Sequence, residues 1–103
     1  MFSIFVSLAL AATPSPAAER KAWYECLEAY AQIAMFSTKM TPAIALDALK
    51  ACADERKAFQ LKLLRVPSTP STVDGPSFAA RLAEEDRAAA AHTVWFLTVI
   101  RRR

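Results

Sequence analysis

Two cysteines, Cys26 and Cys52, are placed symmetrically about one interruption in a long helical pattern, the segment STKM at positions 37–40. If one helix ends near Phe36 and the next begins at Pro42, each cysteine is ten residues from the turn. Because a helix rises about 1.5 Å per residue, both sulfur atoms would lie about 15 Å from the turn, at one level of an antiparallel hairpin. We therefore expect a disulfide between them, with two buried free thiols as the alternative.

The composition of the chain also favours helices. Alanine, the best helix former, occurs 22 times, whereas glycine occurs once and asparagine is absent. The pairs Ser15-Pro16 and Thr41-Pro42 are typical helix starts, and apolar residues recur after them at three- and four-residue spacing. The three predicted helices run from Pro16 to about Phe36, from Pro42 to about Arg65 and from Phe78 to about Arg102.

These elements predict an all-α fold, a disulfide-pinned antiparallel helical hairpin with a third, C-terminal helix packed on it. The hairpin is expected at residues 13–65 and the C-terminal helix at residues 78–103. Between them, residues 66–77 contain three prolines, the single glycine and several Ser and Thr residues. This composition is typical of a linker.

The first residues have the pattern of a secretory signal peptide. Residues 2–12 are uncharged and mostly apolar, and the small-residue motif Ala9-Leu10-Ala11 lies near their end. No Lys or Arg precedes them, so the signal is short or the start codon lies upstream; a first helix of the fold is the alternative. We expect a signal peptide at residues 1–12 and a periplasmic or secreted protein, where disulfides persist.

No residue pattern predicts catalysis or ligand binding. The formal net charge of +3 equals the charge of the terminal arginines 101–103, so the chain lacks the basic stripe that binds nucleic acid. His92 is expected to be structural, and the acidic residues 84–86 are expected to form a solvated face. The cysteines and this histidine do not have zinc-ligand spacing. The sequence therefore predicts no catalytic residue, no metal site, no cofactor and no small-molecule substrate.

The chain ends in HTVWFLTVIRRR, which is apolar on all sides of a helix before its three arginines. Residues 88–100 would form about 20 Å of helix, too short for a bilayer core of roughly 30 Å. The segment is packed between the hairpin and the linker, forms a dimerisation or partner surface, or dips into a membrane interface. The residues of this interaction or membrane surface are Trp95, Phe96, Leu97, Val99, Ile100, Arg101, Arg102 and Arg103.

The signal-like start and the segments WYECLEAYA (residues 23–31) and ALKACADER (residues 48–56) resemble small, uncharacterised, Ala- and Arg-rich exported helical proteins of proteobacteria. This resemblance implies no activity. From the residues, we expect a non-enzymatic exported protein that acts by contact with an unknown protein partner or with itself. The alternative is a membrane-surface protein with peripheral contact, anchored by its apolar, arginine-terminated C-terminal helix.

Overall fold

The computed structural model describes residues 15–65 and 77–102, which form four helices and no strand. The predicted all-α class is confirmed, and so is the disulfide that pins the hairpin, because Cys26 and Cys52 are bonded. The helices are α1 (Ala17–Ala34), α2 (Thr41–Ala51), α3 (Ala53–Leu64) and α4 (Phe78–Arg101). Outside the described residues lie the expected signal peptide at 1–12, residues 66–76 of the expected linker, and Arg103.

The helix starts follow the sequence signals closely. α1 begins directly after Pro16, and the Ser15 hydroxyl accepts a hydrogen bond from the amide of the first helical residue at 3.2 Å. α2 begins at Thr41 with Pro42 in its first turn. Proline is tolerated there because the first amides of a helix have no acceptor within the helix. Ser77 caps α4, because its hydroxyl accepts a hydrogen bond from the amide three residues later at 3.1 Å.

The second predicted helix is divided in two at Cys52, whose backbone angles are φ −100° and ψ 30°. Hydrogen bonds from the Cys52 amide to Ala48 O and from the Arg56 amide to Cys52 O continue on either side of the break, at 2.9 and 3.0 Å. The change of direction lets α2 lie mainly against α4 while α3 lies mainly against α1. The sequence here contains neither glycine nor proline, so this packing accounts for the difference from a single helix.

The larger part of the core lies between α1 and α3. Trp23 of α1 and Phe59 of α3 are fully buried, and their rings stack with centroids 5.4 Å apart. Ala48 of α2 and Ala89 of α4 are also fully buried in this cluster, and their small side chains allow the helices to approach closely. The other buried members of the cluster are Leu27, Cys52 and Leu63.

The last helix, α4, packs against both α1 and α2. A second buried cluster joins Leu97 of α4 to Ala31 of α1 and Ile44 of α2. Thr93 is buried as well, and its hydroxyl donates a hydrogen bond to the Ala89 carbonyl at 2.8 Å, which satisfies this polar group inside the helix. The predicted packing of a C-terminal helix on the hairpin is therefore confirmed.

Candidate functional site

The disulfide joins the middle of α1 to the break between α2 and α3. The Cα atoms of Cys26 and Cys52 are 6.0 Å apart, a separation typical of disulfides. Cys52 is fully buried, and Cys26 packs beside it against the Trp23–Phe59 cluster. This position is that of a structural cross-link, since reactive cysteine pairs are usually accessible to solvent.

The carboxylate of Glu55 lies beside the disulfide. One oxygen of Glu55 and the sulfur atoms of Cys26 and Cys52 are within 4.8 Å of one another, which is compact enough for metal ligands. However, the two sulfur atoms are bonded to each other and do not offer the thiolates that a zinc ion requires. In this oxidised state, the cluster does not form a metal site.

His92 of α4 contacts Glu28 of α1. The distance from His92 Nε2 to Glu28 Oε2 is 2.7 Å, and the two side chains are 25% and 34% exposed. The Tyr24 ring packs on the imidazole with its centroid 4.7 Å away, and the Trp95 ring lies with its centroid at 5.7 Å. Tyr24, His92 and Trp95 form an aromatic row that runs from α1 to α4.

The contact between His92 and Glu28 could not be found from helical spacing, because the two residues are 64 positions apart. A carboxylate beside a histidine occurs in catalytic sites, but nucleophilic catalysis also needs a reacting hydroxyl or thiol next to the base. Within residues 15–65 and 77–102, no hydroxyl or thiol side chain hydrogen-bonds to His92. The geometry of the described residues is therefore that of a cross-helix contact.

Tyr24 lies near a second contact between α1 and α4, in which Arg20 donates a hydrogen bond to Glu85 at 2.8 Å. Burial raises the pKa of the Tyr24 hydroxyl, the negative charge of Glu85 raises it further, and the positive charge of Arg20 opposes both effects. A phenol with a raised pKa stays protonated near neutral pH.

The acidic residues 84–86 have separate partners. Glu85 pairs with Arg20 of α1 at 2.8 Å, and Asp86 accepts two hydrogen bonds of 2.7 Å from the Arg56 guanidinium of α3. The hydrogen bond to Asp86 raises the pKa of Arg56. The expectation of a solvated face is wrong for Glu85 and Asp86, because both are half-buried and hold α4 to its neighbours.

The residues predicted as an interaction or membrane surface have different surroundings. Leu97 is fully buried in the second core cluster, whereas Trp95 is 59% exposed. Arg102 is exposed, and Arg101 is half-buried against the turn between α1 and α2. The accessible part of this surface therefore centres on Trp95 and Arg102. The half-buried residues between them are Phe96, Val99 and Ile100.

Arg101 holds the end of α4 against the turn between α1 and α2. Its guanidinium donates four hydrogen bonds of 3.0 to 3.1 Å to three backbone carbonyls and one hydroxyl: Met35 O, Ser37 O, Lys39 O and Thr41 Oγ1. Because this arginine is used inside the fold, it does not present a free fork of donors to an anionic partner. We call residues 35–40 together with Arg101 and Arg102 the basic end of the molecule.

Three large apolar side chains are exposed in the basic end or in the helical turn that leads into it. Ile33 is 81% exposed, Phe36 is 85% exposed and Met40 is 75% exposed. These three residues, which we call the apolar tip, were not distinguished by the sequence pattern, since the orientation of a turn depends on how the helices pack. No helix in the described part of the chain has the length and apolar character needed to cross a bilayer.

Comparisons with known proteins do not add to this description. No family model matches the chain, and neither a curated protein nor a solved structure matches it significantly.

Proposed function

We propose that the protein is a non-enzymatic, exported helical protein that acts by contact with another protein through the aromatic row. The observation that carries this proposal is the 59% exposure of Trp95 on a well-packed helix, next to His92 and Tyr24. Aromatic residues are enriched at protein interfaces, and tryptophan is prominent among those that dominate binding energy.

The framework under this surface supports binding without a large rearrangement. The 2.7 Å contact between Glu28 and His92 fixes the two helices that carry the aromatic row. The disulfide between Cys26 and Cys52 fixes α1 to the rest of the hairpin. A surface that is already rigid loses little conformational entropy on association, so a larger share of its contact energy appears as affinity.

Export remains part of the proposal. The disulfide supports it, because disulfides form and persist in oxidising compartments such as the periplasm and the extracellular medium. The contact partner would therefore be found in one of these two compartments.

A capture experiment with a matched control tests the contact surface. Immobilised wild-type protein, Trp95→Ser and Leu61→Ser would be exposed to periplasmic extract and to culture medium. Leu61 is 54% exposed on α3, so its replacement removes a similar exposed apolar group from another face. We expect the wild type and Leu61→Ser to retain the same proteins, and Trp95→Ser to retain at least about tenfold less.

The same variants distinguish self-contact from contact with another protein. Sedimentation equilibrium of the purified wild type would detect a dimer, and loss of that dimer in Trp95→Ser would identify a second copy as the partner. Equal capture by the wild type and Trp95→Ser would eliminate the aromatic row as the contact surface.

Association with a membrane surface is a second proposal, supported by a different part of the molecule. Anchoring by the whole of the last helix has little support, because Leu97 is buried and Arg101 is bound to the α1–α2 turn. The observation that favours membrane contact is the position of the exposed Arg102 at the same end as the apolar tip.

A further inference from the structure

The net charge of the protein is concentrated at the basic end. Lys39, Arg101 and Arg102 lie there, Arg103 follows in the sequence, and Asp47 pairs with Lys39 at 2.8 Å. Apart from these five residues, the chain contains nine basic and nine acidic side chains and is neutral. Two of the three surplus positive charges, those of Arg101 and Arg102, thus lie at one end of the molecule and would attract an anionic surface.

The apolar tip is next to this charge. Single exposed apolar residues are common on protein surfaces, but Phe36 and Met40 lie on one short turn, and Ile33 lies in the last turn of the helix that leads into it. Exposed apolar side chains beside arginines and lysines are typical of proteins that place a few residues into the interface of an anionic bilayer.

The backbone of the turn is already supplied with hydrogen-bond donors. Arg101 donates to the carbonyls of Met35, Ser37 and Lys39 at 3.0 to 3.1 Å. A carbonyl that is moved out of water without a partner costs free energy, and this cost usually opposes the entry of a turn into a lipid interface. The hydrogen bonds from Arg101 reduce that cost and leave the apolar side chains of the turn free to contact lipid.

Charge and area together favour lipid over a protein as the occupant of this end. Two copies that met tip to tip would bring their surplus positive charges together, which is unfavourable. The three side chains of the apolar tip expose on the order of 400 Å², about half of the roughly 800 Å² that each partner buries in a standard protein interface. An interfacial membrane contact requires no such minimum area, because charge and a few inserted side chains act together.

We propose that the basic end docks on an anionic phospholipid bilayer, with Phe36 and Met40 at the boundary between headgroups and acyl chains and Arg102 against lipid phosphates. This inference rests on the second proposed function, membrane association, and it names the lipid class and the residues that meet it. It does not depend on the contact proposed for Trp95.

Flotation with vesicles tests the inference on the full-length, oxidised protein at low salt. One set of vesicles contains phosphatidylcholine alone, and the other contains equal parts of phosphatidylcholine and phosphatidylglycerol. We expect the protein to bind the anionic vesicles only, and we expect added salt to weaken this binding because it screens the charges. Replacing both Arg102 and Arg103 by Gln should lower partitioning about 30-fold, since each basic residue near an anionic surface contributes about 1 kcal/mol. The double variant Phe36→Ser/Met40→Ser should lower it at least about tenfold.

Two control variants remove the same number of apolar or charged side chains from other parts of the surface. Leu61→Ser/Leu64→Ser removes two exposed apolar side chains from α3, and Lys57→Gln/Arg65→Gln removes two exposed charges. Both controls retain residues 1–14, so any vesicle binding by that segment is common to all variants. We expect both controls to bind anionic vesicles as the wild type does.

Three results would overturn the inference, and they separate it from membrane association in general. Binding that is equal for tip and control variants would leave membrane association standing but remove the basic end as its site. No binding to either vesicle type would remove both. A dimer or a protein complex that is lost in Phe36→Ser/Met40→Ser, with no vesicle binding, would assign this end to a protein partner instead.

Discussion

At the scale of single residues, Arg101 determines how the end of α4 meets the α1–α2 turn. Its guanidinium reaches Met35 O, Ser37 O, Lys39 O and Thr41 Oγ1 simultaneously. A planar group with five donors in fixed directions suits such a set of acceptors, whereas the ammonium group of lysine is a point charge with freely rotating donors. The arginine also belongs at a helix C-terminus, where its charge complements the helix dipole.

Arg101→Lys should therefore lower the stability of the fold although it preserves the charge. We expect a loss of about 1–3 kcal/mol in the free energy of unfolding, since the part-buried Met35 carbonyl and the two exposed carbonyls of the turn lose their charged donor. Urea denaturation followed by circular dichroism would measure this loss. Arg102→Lys, at an exposed position next to it, serves as the control and should change the stability little. Equal stability of the two variants would show that the four hydrogen bonds contribute nothing measurable.

The ion pair between Lys39 and Asp47 gives a prediction about pH. The hydrogen bond from Lys39 lowers the pKa of Asp47, and the same bond raises the pKa of Lys39. A lowered carboxylate pKa stabilises the fold above the unfolded value of about 3.9, and this contribution disappears as the pH falls through the folded value.

The stability difference between the wild type and Asp47→Asn should therefore be constant from neutral pH to about 4 and then shrink in stronger acid. Lys39→Gln removes the same pair from the other side and should show the same dependence. The difference will be small, because exposed ion pairs contribute little. Urea denaturation at a series of pH values would detect it, and a difference that grows below pH 4 would contradict the assigned pair.

At the scale of helices, close packing of alanines explains how a small chain assembles four elements. Ala48 of α2 and Ala89 of α4 are both fully buried, with 0% exposure, in the Trp23–Phe59 cluster. A larger side chain at either position would have to displace its neighbours, because protein interiors are already close-packed.

Ala89→Leu should consequently destabilise the fold by about 1–3 kcal/mol through overpacking. Ala91, two residues later on α4, is exposed, so Ala91→Leu adds the same group to the same helix without entering the core. Alanine and leucine both favour helices, and the control variant should stay close to the wild type. Thermal unfolding of both variants would compare them, and similar midpoints would mean that α4 can shift to accept the added volume.

The helix ends and the disulfide could be predicted from sequence because their causes are local or follow from simple geometry. Ser15-Pro16 and Thr41-Pro42 mark helix starts by their own conformational preferences, and the cysteine positions follow from the rise of a helix. The break at Cys52 has no local signal, because it results from the packing of α2 and α3 on different partners. The contact between His92 and Glu28 was equally hidden, since it joins residues far apart in the chain.

At the scale of the whole molecule, the two surfaces of the described residues that carry the proposals differ in chemistry. The aromatic row on α1 and α4 offers rings and the half-buried hydroxyl of Tyr24 for contact with a protein. The basic end offers charge and exposed apolar groups for contact with an anionic bilayer. Both proposals require a framework that holds the four helices together, and the bond from Cys26 of α1 to Cys52 between α2 and α3 is the covalent part of that framework.

Removal of this bond should destabilise the fold strongly. It closes a loop of 26 residues, and the loss of chain entropy in the unfolded state corresponds to about 3.5 kcal/mol of stability. A domain of this size has roughly 5 kcal/mol in total. The double variant Cys26→Ser/Cys52→Ser should therefore unfold at a markedly lower urea concentration. Its helical circular dichroism signal should also begin to fall near physiological temperature as the sample is heated.

Reduction of the wild type by dithiothreitol should give the same shift as the double variant, and the double variant itself should not respond to the reductant. This comparison separates the cross-link from the effect of burying two hydroxyl groups, because the latter is absent from the reduced wild type. If the reduced protein kept the full stability of the oxidised one, the packing of Trp23 and Phe59 would suffice to hold the hairpin. The disulfide would then report only the compartment in which the chain folds.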